Sequence, residues 1–396
     1  MKVLRRFHKS ILDVRSHQWK YQLEPYRGCG MGCVYCGARR RAHLGGGGRK
    51  RKDLIPLLRD DLAGLKSAGI TYISPEVDPY QPLEKALHVT RRALELFLEF
   101  ECPVVPLTKS PLILRDEDLL LELHKRDLVS VQFTVLHVDP DMTRALEPGV
   151  ALPRERLEAA ARLAGAGIPV HFHISPYLPG LYRGEGLADT IRAIADHGGR
   201  CVYTNPLGLR RSSGGKTVRI LDELNAGSGT QLLQMYPRRR PGMPRTILPR
   251  SELLLRDMEE FREICRRYKI GFVCEFIPEL TDVDPAEFSA GVFRYGLPTV
   301  YDMLRFCENR GDAVLDWATF DSEFLCRCDV VDGAFRDFVL RLWESGDLFR
   351  NTRLVPTRSN GRMTYRSDGE LKVGDHSQGA LSWMNRLRRM RVRLFQ

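Results

Sequence analysis

The chain of 396 residues lacks any uninterrupted apolar run of eighteen or more residues, so the sequence predicts no membrane-spanning helix. It starts with the charged segment MKVLRRFHKS, which has neither the apolar stretch nor the small-residue cleavage site of a secretory signal. We find no internal repeat and no long low-complexity tract. These absences favour a globular protein of the cytoplasm that has no membrane partner.

The sequence also lacks the cysteine spacing of a disulfide framework. Of its ten cysteines, three lie close together at positions 29, 33 and 36, and the others are far apart. In a reducing compartment, such a cluster of thiols indicates a metal site.

The formal net charge of +11 would draw polyanions such as nucleic acids toward the surface. The basic runs 39–41, 49–52 and 238–240 could contact phosphates, although charge runs are usually solvated. The alternative interpretation is a basic surface that serves solubility alone. Nucleic acid is therefore a possible partner.

Short apolar runs alternate with amphipathic stretches over the first half of the chain, and this alternation is typical of consecutive βα units. Each helix has a strand before and after it, which predicts parallel pairing with right-handed crossovers. The sequence therefore predicts an α/β protein with a partial (βα)6 barrel of the TIM type. The six strand candidates are 20–26, 70–75, 103–108, 129–136, 168–175 and 200–204.

After position 205 the pattern changes, and we divide the chain accordingly. Residues 1–18 are an N-terminal extension, 19–205 the barrel, and 206–250 a connector rich in glycine, arginine and proline. Residues 251–396 are a mixed, mainly helical C-terminal region with helices predicted over 251–268, 299–310 and 334–344, and it could bind substrate.

The clustered cysteines lie in the segment YRGCGMGCVYCGAR, directly after the first predicted strand. An iron–sulfur cube usually takes four cysteines, so three thiolates from Cys29, Cys33 and Cys36 leave one iron with an open position. A structural zinc site is the alternative, but it needs four closed ligands, and the nearest further candidate is His43, seven residues on. Three separate structural cysteines are a third interpretation.

The chain resembles the radical SAM superfamily, and within it the branch of spore photoproduct lyase. The resemblance covers about residues 20–205. It is carried, in order, by the cysteine segment, DPYQPLE at 78–84, Thr90-Arg91, LTKSPLILRD at 107–116, LEP at 146–148, RLEAAARLAGAGIPV at 156–170 and SPYLPGL at 175–181. It implies a radical SAM barrel, a 4Fe–4S cluster, S-adenosyl-L-methionine as cofactor and an external electron donor of the flavodoxin or ferredoxin type.

The resemblance also implies roles for four side chains or backbones near the cofactor. The backbone of Tyr35 would meet the adenine, and Lys109 would pair with the cofactor carboxylate, a contact that a lysine makes well. Thr134 would supply a small hydroxyl at the end of the fourth strand. Asp78 follows the second strand, where cofactor contacts gather, although an Asp-Pro pair can also just shape a turn.

Two departures from the lyase bear on the substrate. The lyase has a hydrogen-donating cysteine just before its Asp-Pro pair, whereas this chain has SPEVDP at 74–79. The lyase also has a tyrosine after its third cluster cysteine, where this chain has Gly37. Glu76 instead suggests a proton-transferring wall of the cavity, provided that burial raises the pKa of its carboxyl, and the alternative is a surface glutamate.

Two weaker features leave alternatives open. Cys274, Cys307, Cys326 and Cys328 could hold a second iron–sulfur cluster, or they could be small buried apolar side chains. His171 and His173 alternate along the fifth predicted strand, so their side chains point to the same face, either into the barrel or out of it.

Two functions from different classes compete. The first is an enzyme that cleaves S-adenosylmethionine to an adenosyl radical and abstracts hydrogen from an unidentified nucleic acid, peptide or small metabolite. The second is a nucleic-acid-binding protein whose cluster is only structural or redox-sensing. The complete series of segments that contact the cofactor favours the enzyme.

Overall fold

We analysed a computed structural model of the chain. It describes residues 4–6, 18–36, 49–50, 53–65, 69–179, 181–182, 185–210, 214–237, 246–284, 286–287, 290–310, 314–349, 352–359, 361–367 and 371. The interpretations of Gly37, of His43 and of the basic runs 39–41, 51–52 and 238–240 concern residues outside these ranges. No helix in the described ranges is long and apolar enough to cross a membrane.

A sheet of eight strands forms the centre of the fold, and seven of its strands are parallel and lie in chain order. The short strand Arg5–Arg6 is antiparallel at the edge. The parallel strands are β1 (Tyr21–Leu23), β2 (Thr71–Ile73), β3 (Val104–Thr108), β4 (Val131–Thr134), β5 (Val170–Tyr177), β6 (Cys201–Pro206) and β7 (Gly271–Cys274). The predicted partial barrel of the radical SAM type is confirmed, and all six predicted strands are present.

Helices connect consecutive parallel strands, as expected for right-handed crossovers. They are α1 (Leu54–Ala63), α2 (Val89–Glu99), α3 (Glu117–His124), α4 (Pro153–Gly165), α5 (Gly186–Asp196) and α6 (Ser251–Arg267). Their apolar faces pack with one face of the sheet in a single large core, which includes Phe97, Leu120, Leu163 and Ile191 from the helices. The opposite face of the sheet is the interior of the barrel.

The segment between β2 and β3, whose apolar residues have helical spacing over 82–100, forms two helices, Glu84–Leu87 and α2. His88, between them, has a left-handed φ of 48°, which interrupts the helix. The carboxylate of Glu84 accepts hydrogen bonds from the N–H groups of Thr90 and Arg91 at 3.0 and 3.3 Å, so it caps the second helix. The buried Glu84 side chain therefore stabilises the start of a separate second helix, although the apolar spacing of the segment is that of one continuous helix.

The structure corrects the sequence-based boundaries at two places. The parallel sheet does not end near position 205, because α6 and β7 add a further unit, and β7 pairs with β6. The connector 206–250 is not only loop, since it contains helices Gly214–Leu224 and Ser228–Gln234 and a pairing of Leu209–Arg210 with Thr246–Ile247. The connector helices form because Ile220, Leu221 and Leu232 pack with apolar residues of the cysteine segment.

Short elements complete the barrel region. They are the strand pair Tyr26–Arg27 with Arg49–Lys50, the helix Pro140–Leu146, and the 3-10 turns Pro111–Asp116, Pro278–Leu280 and Gly291–Tyr295. Phe293, in the last of these turns, packs on Trp19 and His171. Because Trp19 precedes β1 and His171 lies at the start of β5, this turn covers the amino-terminal end of the barrel.

The C-terminal unit, residues 297–367, has a second hydrophobic core of its own. It contains helices Val300–Arg310, Trp317–Glu323 and Gly333–Ser345, the 3-10 turn Leu325–Arg327, and strands Leu315–Asp316, Leu354–Ser359 and Arg362–Ser367. Two of these helices match the ones predicted over 299–310 and 334–344. The unit contacts the barrel through Lys20, whose buried ammonium donates to the carbonyl of Val330 at 3.0 Å.

Candidate functional site

The cluster loop, residues 28–36, follows β1 and carries the three clustered cysteines at the carboxyl end of the barrel strands. Gly28 and Gly32 have φ values of 76° and 71°, in the left-handed region that favours glycine. The N–H of Cys36 donates to the carbonyl of Cys33 at 3.2 Å and closes a turn between the last two cysteines. The three thiols therefore share one short and tightly folded stretch of backbone.

Two neighbouring segments hold the cluster loop in place. On one side, the buried Gln81 side chain accepts from the N–H of Gly30 at 3.0 Å and donates to the carbonyl of Gly28 at 3.1 Å. On the other side, the N–H of Gly149 donates to the carbonyl of Met31 at 2.9 Å. A Cβ at position 149 would lie 2.6 Å from that carbonyl oxygen, so the close approach requires glycine.

The three thiols are free, with Cys33 buried and Cys29 and Cys36 half-buried. Burial, and then the Asp78 carboxylate, raise the pKa of Cys29 to about 11, although the N–H groups of Asp78 and Met31 act in the opposite direction. Burial also raises the pKa of Cys33, the Glu147 carboxylate raises it further and the Lys109 ammonium lowers it, and negative charge on the other two thiols adds smaller increases. The thiols therefore lie close enough to repel one another as thiolates, so ionising all three requires nearby positive charge.

The chemistry of this donor set, three thiols on one short loop, fits an iron–sulfur cluster. Within the described ranges, no group of three or more Cys, His, Asp or Glu side chains is arranged around one point as for a single metal ion. A cube distributes its cysteine ligands over several irons, so its thiols need not converge on one point. N–H groups near a ligand sulfur, such as those of Asp78 and Met31 beside Cys29, are among the features that tune such clusters.

A buried carboxylate, Glu147, lies next to the cluster loop and gathers two cations and a phenol. The Lys109 ammonium is 2.7 Å from its Oε1, the Arg156 guanidinium is 2.9 Å from its Oε2, and the Tyr35 hydroxyl donates to Oε1. Burial alone would raise the pKa of Glu147, but Lys109 and Arg156 outweigh burial and lower that pKa to about 2. The carboxylate is therefore ionised at neutral pH.

Arg156 extends this network to the end of β4. Its side chain is fully buried, and it donates to the carbonyl of Thr134 at 2.7 Å and to the carbonyl of Ala151 at 2.8 Å. The sequence analysis assigned no role to Glu147 or Arg156, even though both lie in segments that carry the family resemblance, LEP and RLEAAARLAGAGIPV. That resemblance was the only signal that could have pointed to them.

The structure brings three of the predicted cofactor contacts together. The ammonium of Lys109 is 3.1 Å from the Tyr35 hydroxyl, and Thr134 joins them through Arg156 and Glu147. The predicted contact of Lys109 with the cofactor carboxylate stays a prediction, and so do the roles of Tyr35 and Thr134. An ammonium has three hydrogens, and Glu147 and Tyr35 engage two of them, so one remains for a further acceptor.

Asp78, the fourth predicted contact, ties the segment after β2 to the end of β3. Its carboxylate accepts from the Thr108 hydroxyl at 2.7 Å and from the N–H groups of Lys109 and Tyr80 at 2.7 and 2.8 Å. Burial raises the pKa of Asp78, and these hydrogen bonds oppose that shift. Its predicted contact with the cofactor stays a prediction, and the geometry gives it a positioning role for the Lys109 backbone.

Glu76 does not meet the condition that its predicted proton transfer required. Its side chain is exposed, whereas the sequence analysis relied on burial, and its N–H donates to the Glu24 side chain at 3.0 Å. Ser74, at the start of the same segment, directly follows β2, is buried and has a left-handed φ of 66°. Strained backbone of this kind clusters at functional sites, so Ser74 is the stronger candidate of the two.

His171 and His173 both face the barrel interior. The Nε2 of His173 is 2.8 Å from the Oε1 of Gln132, and the imidazole stacks on Tyr203 with 5.1 Å between ring centroids. His171 is buried against Tyr203 and Phe293, and burial lowers its pKa to about 3, so it is neutral at pH 7. The two histidines line a polar interior rather than the surface.

The four other cysteines considered for a second cluster do not come together. Cys274 is buried in the core of the barrel, where its sulfur accepts from the N–H of Ile277 at 3.4 Å. Cys307 packs against the separate core of the C-terminal unit, and the Cys328 thiol donates to the carbonyl of Phe324 at 3.4 Å. Burial raises the pKa of Cys307 to about 12. Cys274 and Cys307 therefore lie in different cores, so the four thiols do not form one site.

Several segments that carry the resemblance meet around Glu84 rather than at the cysteines. The buried Glu84 carboxylate accepts from the Tyr26 hydroxyl and from the Arg115 guanidinium, the latter at 2.7 Å. Arg91 in turn lies 3.2 Å from Asp116. These side chains fasten the strand before the cluster loop to α2 and to the turn after β3, which is a structural role.

Comparisons with known proteins show which family profile and which solved fold the chain resembles. The profile of the radical SAM superfamily matches residues 23–210, from the end of β1 to just beyond β6. The solved structure of spore photoproduct lyase complexed with dinucleoside spore photoproduct is similar with a TM-score of 0.50 at 16% sequence identity, covering 69% of this chain and 80% of that one. At this identity the likeness concerns the fold.

Two curated relatives each match part of the chain. An uncharacterized protein of Mycobacterium tuberculosis is 27% identical over 237 residues, which are 57% of this chain and 69% of the relative. A protein of Pseudomonas phage M6, named radical SAM Nalpha-GlyT isomerase, is 25% identical over 181 residues, which are 43% of this chain and 36% of that protein.

Proposed function

Residues 23–210 are a radical SAM domain, and from that premise we propose that Cys29, Cys33 and Cys36 hold a 4Fe–4S cluster that binds and reductively cleaves S-adenosyl-L-methionine. Cluster and cofactor, when bound, supply a 5'-deoxyadenosyl radical that abstracts hydrogen from the substrate. The observation that carries the proposal is the clamped loop with three mutually repelling thiols beside the Lys109–Glu147 pair. An external electron donor of the flavodoxin or ferredoxin type would complete the reaction.

The residues around the loop have distinct roles in this proposal. Gln81 and Gly149 fix the loop, and Asp78 holds the backbone of Lys109. Glu147 keeps the ammonium of Lys109 in place, with one hydrogen left for the cofactor carboxylate. The barrel interior excludes water from the radical, and residues 251–396 contribute α6 and β7 to the barrel in addition to a separate C-terminal unit.

The substrate could be a nucleic acid, a peptide or a small metabolite, and a nucleic acid is the first class to test. The formal charge of +11 favours polyanions, and one protein of similar fold was solved with a dinucleoside. The second candidate function, a nucleic-acid-binding protein with a structural or redox-sensing cluster, shares the same charge. The Lys109–Glu147 pair beside the thiols favours the enzyme.

One experiment separates the two functions. The full chain is reconstituted anaerobically with iron and sulfide, and is then given a strong reductant and S-adenosylmethionine. The enzyme produces deoxyadenosine, even in the absence of substrate. A protein that keeps its cluster absorbance but produces no deoxyadenosine would be the binding protein, and the enzymatic proposal would then fail.

Lys109→Ala should weaken binding of S-adenosylmethionine by roughly ten- to a hundredfold, because a charged hydrogen bond contributes about 1.5–3 kcal/mol. Equilibrium dialysis of the reconstituted protein measures this change. Iron content should stay at the parent level, because Lys109 is not a ligand. Lys125→Ala removes an exposed ammonium that pairs only with Glu122 at the surface, and should bind the cofactor like the parent. Equal binding by the Lys109 variant and the parent would contradict the role.

The protein should not repair spore photoproduct. Repair in that family ends when a cysteine returns a hydrogen atom to the thymine radical, whereas this chain has Ser74-Pro75-Glu76 at the end of β2. The O–H bond of a serine or a carboxylic acid is too strong to act as that donor. Chromatography of a dinucleotide photoproduct after incubation with the reconstituted enzyme tests this expectation. Restored thymines over many turnovers would contradict it, and deoxyadenosine without repair would support it.

A further inference from the structure

The order of elements in the C-terminal unit matches a helix-turn-helix with a β-hairpin wing. Helices Trp317–Glu323 and Gly333–Ser345 follow a first helix, and the hairpin Leu354–Ser359 with Arg362–Ser367 comes after the third helix. The short strand Leu315–Asp316, which precedes the second helix, pairs with the last strand of the hairpin. This chain order and pairing are typical of modules that bind duplex DNA.

One tryptophan holds the unit together. Trp343, on the third helix, packs on Phe320 of the second helix with 5.1 Å between ring centroids. Its indole N–H donates to the carbonyl of Met363 in the hairpin at 2.9 Å, and Tyr365 packs edge-on against it. The second helix, the third helix and the hairpin therefore form one packed body, so the hairpin has a fixed position.

The hairpin, residues 352–367, carries four arginines and no acidic residue. Two of the arginines are engaged, since Arg353 lies 3.3 Å from Glu279 and Arg358 donates to the carbonyl of Glu344. Arg362 and Arg366 alternate with the buried Met363 and Tyr365, so both lie on the outer face and are exposed. Within the described part of the chain, no ion pair involves either of them.

The third helix is less suited to bind a polyanion. Its exposed charged residues are two basic and two acidic, and one of the basic ones is already paired with Asp321; they are Arg336, Asp337, Arg341 and Glu344. Asp332 caps the start of this helix and also lies 3.4 Å from the Lys20 ammonium of the barrel, so the first turn faces the barrel. The charged surface available to a partner is therefore the hairpin.

We propose that this hairpin binds the phosphate backbone of duplex DNA through Arg362 and Arg366. Guanidinium groups bind phosphate oxygens through two parallel hydrogen bonds, and such contacts carry no sequence information. Binding is therefore salt-dependent and tolerant of sequence. The inference is independent of the proposed reaction, because it concerns a unit outside the barrel and is tested by binding alone.

The test uses the full chain and a short fluorescent duplex of mixed sequence, with anisotropy measured at several salt concentrations. The double variant Arg362→Gln and Arg366→Gln should bind about tenfold more weakly near physiological salt. The slope of log affinity against log salt should fall by about 2, since each neutralised phosphate contributes about 0.9. The arginine-rich sequence 386–393 is left unchanged, so it does not account for a difference.

The matched control is the double variant Arg154→Gln and Arg192→Gln, which removes the same charge from exposed positions on α4 and α5. It should bind like the parent. Far-ultraviolet circular dichroism and deoxyadenosine formation should be the same in all three proteins. The proposal would be overturned by the absence of duplex binding by the parent, by equal binding of parent and hairpin variant, or by an equal loss in the control. Binding to single strands alone would also overturn it.

Discussion

Anaerobically purified protein in which Cys29, Cys33 and Cys36 are all replaced by alanine should hold no iron, whereas the parent should hold about four irons per chain. The expectation follows from the loop, since it carries three cysteines within eight residues of sequence. The brown absorbance and the formation of deoxyadenosine should be lost together with the iron. Colorimetric iron analysis and visible absorption measure the change.

The control is the triple variant Cys307→Ala, Cys326→Ala and Cys328→Ala, which removes as many thiols from the C-terminal unit. We expect it to retain the iron content of the parent, because those thiols belong to a unit with its own core rather than to the cluster loop. Full iron in the first variant would rule out the cluster assignment. Loss of iron in the control would indicate that cysteines of the C-terminal unit also hold iron.

The parallel strands could be predicted because each is a short apolar run between two amphipathic segments. β7 was missed because the connector with its own helices separates it from β6, so it does not follow the regular alternation of the preceding units. The helices of that connector were also missed, because a composition rich in glycine, arginine and proline hides a few apolar side chains that become buried only against the cluster loop.

The candidate site likewise has one part that could be predicted from the sequence and another that could not. The three cysteines are local in sequence, so their spacing alone indicates a metal site. The pairing of Lys109 with Glu147 joins residues 38 positions apart, and no periodicity in the sequence reports such a contact. Glu76 shows the limit of local sequence, since a residue type suited to proton transfer lies near the end of a strand but its side chain is exposed, whereas Ser74 of the same segment is buried.

Two carboxylates fix the position of Lys109, one through its backbone N–H and the other through its ammonium. Asp78 holds the backbone N–H at 2.7 Å, and Glu147 holds the ammonium at the same distance. Immobilising a long side chain costs conformational entropy, and here the fold has already met that cost before any ligand binds. A site with a lysine fixed in this way is preorganised for an anionic group, which favours a ligand role over simple surface charge.

Glu147→Gln should lower the free energy of unfolding by about 3–5 kcal/mol, because it leaves two cations, one of them fully buried, without a counter-charge. Urea unfolding of the full chain under anaerobic conditions measures the loss. The control Glu158→Gln removes an exposed partner of Arg154 and should cost no more than about 1 kcal/mol. Equal stability of the two variants would mean that Glu147 is not the centre of the network.

The pH dependence of that loss gives a sharper test, because its sign follows from the pKa. Two nearby cations lower the pKa of Glu147 from its usual 4.5 to about 2, so its stabilising effect is present above pH 4.5 and is lost as pH falls toward 2. The glutamine variant has no proton to gain at this position. The difference in unfolding free energy between parent and variant should therefore be largest near neutral pH and shrink across that acidic window. A difference that stays constant from neutral pH to the acidic end would show that Glu147 acts through packing rather than through its charge.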